Sequence, residues 1–183
     1  MADEDGASPR ELILEACRRN NTDLLEETIA GLASSATKAG KEPAAHVAQV
    51  LNAARDGMGN GCLHVAATYG SYEILDILLD QEGLEIELTD RMESDTPLHK
   101  AARYANSLSQ SDWPAAMPIV DILLDAGCDP RIRNKAKLKP IELVDPRNTE
   151  LRDMLRKGEF AMMMGGDVVE EDEGAGGSAS DSE

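Results

Sequence analysis

The sequence predicts an all-α solenoid of about four helix-turn-helix repeats with finger loops, because two stretches of the chain return in register. The segment Asp95, Thr96, Pro97, Leu98, His99, Lys100, Ala101, Ala102, Arg103, Tyr104, Ala105 has an echo 35 residues upstream, where Gly61, Cys62, Leu63, His64, Val65, Ala66, Ala67, Thr68, Tyr69 and Gly70 fill the same slots. Ile119 to Asp125 copies Ile74 to Asp80 with a single change, Val120 for Leu75. Composition agrees: 42% of residues are hydrophobic but only 3% aromatic. A stack of repeats tolerates that balance, since Leu, Ile, Val and Ala interlock between neighbours instead of filling one central core.

The chemistry of the repeated slots predicts a short helix. Thr96 is a cap, and Pro97 suits the first helical position because its ring presets φ and its missing N–H would be unpaired there anyway. Leu98, Ala101 and Ala102 fall three and four apart on one face, and the two alanines admit a close neighbour.

Taken in order, residues 1–7 read as disordered. A capping box at Ser8 and Glu11, with Pro9 between, opens a helix carrying Leu12, Ile13 and Ala16, and a second follows Asn20, Asn21 and Thr22. This pair, about 8–31, reads as an N-terminal capping repeat. Its offset of 50 residues from the next repeat requires an insertion at about 32–55, with Ser34, Ser35 and Gly40 as breakers and a short helical pattern at Ala44, Val47, Ala48 and Leu51. His46 reads as a surface residue.

The repeat at about 56–90 opens with a turn, Asp56 to Asn60, whose two glycines allow positive φ. Its second helix follows from Tyr72, and Leu84, Ile86 and Leu88 alternate with Glu85 and Glu87 as an extended finger. In the repeat at about 91–133 the second helix comes ten residues late, so an insertion at about 106–117, with Trp113 and Pro114, must bulge from the edge. Gly127 ends that helix. The last repeat, about 134–158, reads as a cap: Asn134 to Leu138 is its turn, and Leu151, Met154 and Leu155 form one face of a closing helix that ends with Arg156, Lys157 and Gly158. Residues 159–183 read as an acidic disordered tail: from Gly165 the chain holds seven carboxylates and no basic side chain. Ser180, before Asp181, Ser182 and Glu183, suits an acid-directed kinase.

The net charge of −17 repels phosphates and disfavours direct nucleic-acid binding; it either favours a basic partner or serves only to keep the chain soluble. No apolar run approaches the roughly 18 residues of a membrane helix, and the acidic N-terminus is unlike a signal peptide, so a cytoplasmic and nuclear protein is expected. Cys17, Cys62 and Cys128 have neither the number for a disulfide framework nor the spacing for zinc. There is no glycine-rich phosphate loop followed by lysine and no activated cysteine, so no enzyme, cofactor or metal is expected.

The T-P-L-H-x-A core at a period near 33 residues resembles the ankyrin repeat. The resemblance covers about residues 8–158. It implies that His99 bridges backbone groups of adjacent turns, that His64 does the same, and that Thr96 and Pro97 serve the fold with them. It also implies a concave protein-binding face of finger tips and first helices: Met58, Asn60, Thr68 and Tyr69 in one repeat, and Met92, Glu93, Asp95, Arg103 and Tyr104 in the next. Tyr69 and Tyr104 are either interface anchors or cover for the helix edge, with Glu93 and Asp95 as charge partners. Trp113 either packs its insertion down or stands exposed for a partner. A basic run, Arg131, Arg133, Lys135, Lys137 and Lys139, is either a solvated loop or a site for an acidic segment.

A divergent first repeat, the extended connection, the run Asp129 to Lys135 and the acidic tail resemble, more narrowly, the small fungal ankyrin-repeat chaperones dedicated to a KH-domain protein of the small ribosomal subunit. That resemblance implies a monomeric, non-enzymatic chaperone that keeps a basic small-subunit ribosomal protein soluble before assembly. The alternative is an ankyrin adaptor or inhibitor that clamps an enzyme or a proteasomal subunit, which needs no acidic excess.

Overall fold

The structure, a computed structural model, describes residues 6–175 and their side chains as far as Gly165. Among them nine α-helices and one 3₁₀ segment stack in four tiers: α1 (Pro9–Arg19), α2 (Thr22–Lys38) and α3 (Pro43–Ala53); α4 (Cys62–Thr68) and α5 (Tyr72–Leu79); α6 (Pro97–Ser107), the 3₁₀ segment (Gln110–Ala116) and α7 (Met117–Asp125); α8 (Pro140–Leu143) and α9 (Thr149–Ala175). The described residues contain no strand, only an isolated antiparallel bridge between Arg55 and Gly61. The expected all-α solenoid is what forms. Helices α1, α4, α6 and α8 make an inner layer and α2, α5, α7 and α9 an outer one.

The first tier follows its caps. Ser8 Oγ accepts from Glu11 N while Glu11 Oε2 accepts from Ser8 N at 2.7 Å, closing the capping box. Asn20 ends α1 at φ 51°. It then serves the next tier, donating to the Glu73 carboxylate at 2.7 Å and accepting from Ile74 N at 3.3 Å. Ser71, at the start of α5, turns away and donates to Cys17 O at 2.6 Å. Two side chains thus exchange tiers.

The insertion forms the expected short helix, but most of the loop expected before it is helix as well. Helix α2 runs through Gly31, Ser34 and Ser35 to Lys38, because Leu32 and Ala36 extend its buried stripe while the two serines face solvent. Glu42 then caps α3 by accepting from Ala44 N and Ala45 N, and Val47, Ala48 and Leu51 pack against α1 and α2. The N-terminal cap is a three-helix unit. His46 is half-buried, with Nδ1 enclosed and unpartnered, rather than on the surface.

Ile13, Leu25, Leu51, Ile74, Leu98, Ile119, Leu123, Leu151 and Leu155 belong to one core continuous through all four tiers. The three thiols lie in it. Burial pushes Cys62 up to about 11 and Cys128 up to about 12, so neither is a thiolate at neutral pH.

The second insertion is folded rather than bulging free. It lengthens α6 beyond α4, and the 3₁₀ segment then lies against both α6 and α7 with Ala116 buried. The terminal helix departs further. Disorder was expected from residue 159, yet α9 continues to Ala175. Gly158 is a packing contact rather than a terminator, since a Cβ there would lie 2.9 Å from Leu124 Cδ2. Ser180 lies outside the described residues.

Candidate protein-interaction face

Each finger is built on one side chain. Asp56 Oδ1 accepts from Met58 N and Asn60 N, both at 2.9 Å. In the next tier Asp90 Oδ1 accepts from Glu93 N at 2.8 Å and Asp95 N at 3.4 Å. Asn134 Oδ1 accepts from Ala136 N and Leu138 N at 3.0 Å. These turns hold their loops in shape because an Asx side chain substitutes for a backbone acceptor. Of the two glycines in the first finger only Gly59 has positive φ, at 82°. The fingers then join tip to tip: Arg91 N donates to Met58 O at 3.2 Å and Lys135 N to Glu93 O at 2.7 Å.

The two motif histidines link tiers. His64 Nε2 lies 2.8 Å from Asp95 O and His99 Nε2 lies 2.7 Å from Leu138 O. A carbonyl only accepts, so Nε2 carries the proton and Nδ1 is left to accept from Gly61 N or Thr96 N, each at 3.1 Å. Burial lowers both histidine pKa values and keeps the rings neutral. Thr96 and Pro97 occupy the N-cap and first position of α6.

Asp95 is a correction. Placed by sequence among the partner-binding residues, it is fully buried, with its carboxylate 2.7 Å from Arg103 Nε, 2.9 Å from Asn134 Nδ2 and 3.5 Å from Lys100 Nζ. Lys100 also pairs with the buried Asp90 at 2.6 Å. Burial alone would raise both carboxyls, but these cations and hydrogen bonds outweigh it and hold them below the usual range. The cluster fastens one finger to α6 and to the next finger, so it holds the face in shape instead of meeting a partner.

Three further residues are more committed than their sequence positions suggest. Tyr104 is half-buried against the core, with its ring over Gly70, while its repeat counterpart Tyr69 is 56% exposed. Asn60 is half-buried and donates to Asp56 Oδ2 at 3.1 Å. Trp113 is half-buried beneath Arg147, whose guanidinium lies 5.9 Å from the ring centroid. Asp145 holds that guanidinium through two hydrogen bonds and is itself pulled down to about 2 by them. The insertion is thereby packed onto the C-terminal cap.

What the face presents is shorter and more apolar: Met58 at 60% and Met92 at 58% exposure on adjoining finger tips, Tyr69 at the far end of α4, and beside them Thr68, Glu93 and Arg103. The basic run contributes little free charge. Arg131 is bound to Asp129, Arg133 to Glu142 and Lys139 to Glu159.

Sequence reasoning missed Asp90 and Lys100, and it read Asn134 as the start of the turn to Leu138 without its contact with Asp95. A signal for them existed: an Asx opens each finger at 56, 90 and 134, intervals of 34 and 44 residues, the second longer by the ten residues of the insertion.

A family model for ankyrin repeats (3 copies) matches residues 8–134. The chain is also 38% identical over 160 residues to ankyrin repeat-containing protein YGL242C of Saccharomyces cerevisiae, covering 86% of this chain and 82% of that protein.

Proposed function

We propose, from the premise that this chain belongs to the ankyrin-repeat family of protein-binding scaffolds, that its fingers and inner helices hold a basic protein and keep it soluble before assembly. The client we assign is a small-subunit ribosomal protein with a KH domain. The observation that carries the reading is the set of exposed Met58, Met92 and Tyr69 on a rigid frame, in a chain of net charge −17. Large apolar side chains on a preorganised surface act as anchors, and opposite net charge accelerates encounter with a basic client. No step of chemistry enters this role, which fits a non-catalytic scaffold family.

The test uses the full chain and a purified, aggregation-prone KH-domain ribosomal protein. The chain is expected to suppress the client's light scattering at equimolar ratio. Met58→Ser, Met92→Ser and Tyr69→Ala combined are expected to raise the dissociation rate by about tenfold or more, while Glu93→Lys slows association, most at low salt. A client that precipitates equally fast with and without the chain removes the ribosomal assignment and leaves the enzyme-clamping adaptor as the better reading.

A further inference from the structure

The outer helix layer carries a groove that the finger face does not share. Residues of α2, α5 and α7 enclose about 760 Å³. Ile29, Ile77 and Ile122 form its apolar floor, each only half-buried against the core. Around them stand Glu26, Asp76, Asp80 and Asp125, all exposed. No Lys or Arg lines the groove, and none of the four carboxylates is ion-paired among the described residues. That contrasts with Asp90, Asp95, Asp129 and Asp145, each of which has a cation. Helices α5 and α7 also end here, at Asp80 and Ala126, so the negative ends of two helix dipoles add to the rim.

We propose that this groove docks a Lys/Arg-rich amphipathic helix of a partner protein. The apolar stripe of that helix lies on the three isoleucines, and its flanking cations meet the four carboxylates. Charge selects this occupant over the chain's own ends: residues 3–5 are Asp, Glu and Asp, and the tail from Gly165 holds seven carboxylates without a cation. The chain's basic run has three of its five cations already bound to Asp129, Glu142 and Glu159. The groove is a second surface, on the helix layer away from the inner face, and stands whether or not the fingers hold a ribosomal protein.

The probe is a fluorescent Leu/Lys amphipathic peptide of about 18 residues, titrated with the full chain at about 0.15 M salt. Asp76→Lys with Asp125→Lys is expected to weaken binding by at least about tenfold. The control is Asp23→Lys with Glu85→Lys, which changes net charge equally at exposed positions outside the groove and is expected to cost less than about threefold. A peptide with its leucines changed to alanine is expected to lose binding, and the Met58→Ser, Met92→Ser variant of the chain to keep it. Equal losses in the two charge-swap variants would reduce the effect to the general acidic field and overturn the proposal, as would undiminished binding of the alanine peptide. Sedimentation supplies a further arm: a dimer abolished by the groove variant would make the occupant a second copy and overturn the assignment to a partner helix.

Discussion

His64 donates its Nε2–H to the main-chain oxygen of Asp95, 2.8 Å away in the next tier, and the Asp95 side chain faces the opposite demand, accepting from Arg103 and Asn134. With Lys100 beside Arg103, one residue therefore closes two contacts between tiers and two within its own. The finger face is held by that arrangement, since Glu93 and Met92 lie just before it on the same finger.

Asp95→Ala leaves Lys100, Arg103 and Asn134 without their shared acceptor and is expected to cost about 3 kcal/mol, read as a lower urea midpoint at unchanged slope. The same cluster sets an acid limit. Asp90 and Asp95 have folded pKa values below the ordinary one, so the unfolded chain binds protons first as pH falls. Their contribution is complete above the unfolded value of about 3.9 and is lost as pH drops through the folded values. Melting curves from pH 6 to pH 3 check it, and Asp90→Asn with Asp95→Asn is expected to flatten the acid slope.

The histidines act in a higher window. Both folded pKa values lie below the free value because burial disfavours the imidazolium. Stability from the neutral rings is complete above about pH 6.5 and declines as pH falls from there towards the folded values. His99→Ala is expected to cost roughly 1–3 kcal/mol by orphaning Thr96 N and leaving Leu138 O with only Asn134 N as a donor, and to remove part of the decline between pH 7 and 5. Thermal melts across that range that match the wild type in both height and slope would sink this account.

Gly70 and Tyr104 form a pair that a double-mutant cycle can isolate. Gly70 has φ 66°, and a Cβ there would meet the Tyr104 ring at 2.3 Å. Gly70→Ala is expected to lose roughly 1–2 kcal/mol for the left-handed backbone alone and more for the clash. In a Tyr104→Ala background only the backbone share should remain. Equal losses in both backgrounds would mean that the ring moves aside freely.

Trp113 tests the division between frame and face. Trp113→Ala is expected to cost about 1–2 kcal/mol, from the lost contact with Arg147 and the exposed cap, without changing client dissociation. Because the chain has one tryptophan, its fluorescence should shift red in Arg147→Ala, reporting loosening of the cap. A faster client off-rate in Trp113→Ala would return this residue to the interface.

The repeat architecture was legible because it rests on local signals that recur: the Ser8 and Thr96 caps, the prolines after them, and the doubled Ile-x-Asp-Ile-Leu-Leu-Asp helix. The ends of α2 and α9 were not. Ser34 and Ser35 read as breakers, yet Leu32 and Ala36 carry the buried stripe across them, and Gly158 reads as a stop although its missing Cβ lets α9 approach Leu124. Tertiary packing overrode propensity in both. The face was legible only by position. Nothing next to Asp95 in sequence distinguishes it from Glu93, because its burial depends on Arg103, eight residues on, and Asn134, thirty-nine residues on. Tyr69 and Tyr104 occupy one repeat slot but differ in exposure for a similar reason, since Gly70 makes room for only one of them.

The main-chain bonds from Arg91 to Met58 and from Lys135 to Glu93 bind the stack along its finger edge, while the outer helices meet less extensively than the inner ones. Pages bound at a spine bend about that spine. A collective bending of the tiers is therefore expected to widen and narrow the outer side, while neighbouring finger tips keep the pitch that their hydrogen bonds set. On that geometry a ligand laid across the fingers would meet a ruler of fixed spacing, and one bridging α2, α5 and α7 would act as a clasp against opening of the stack.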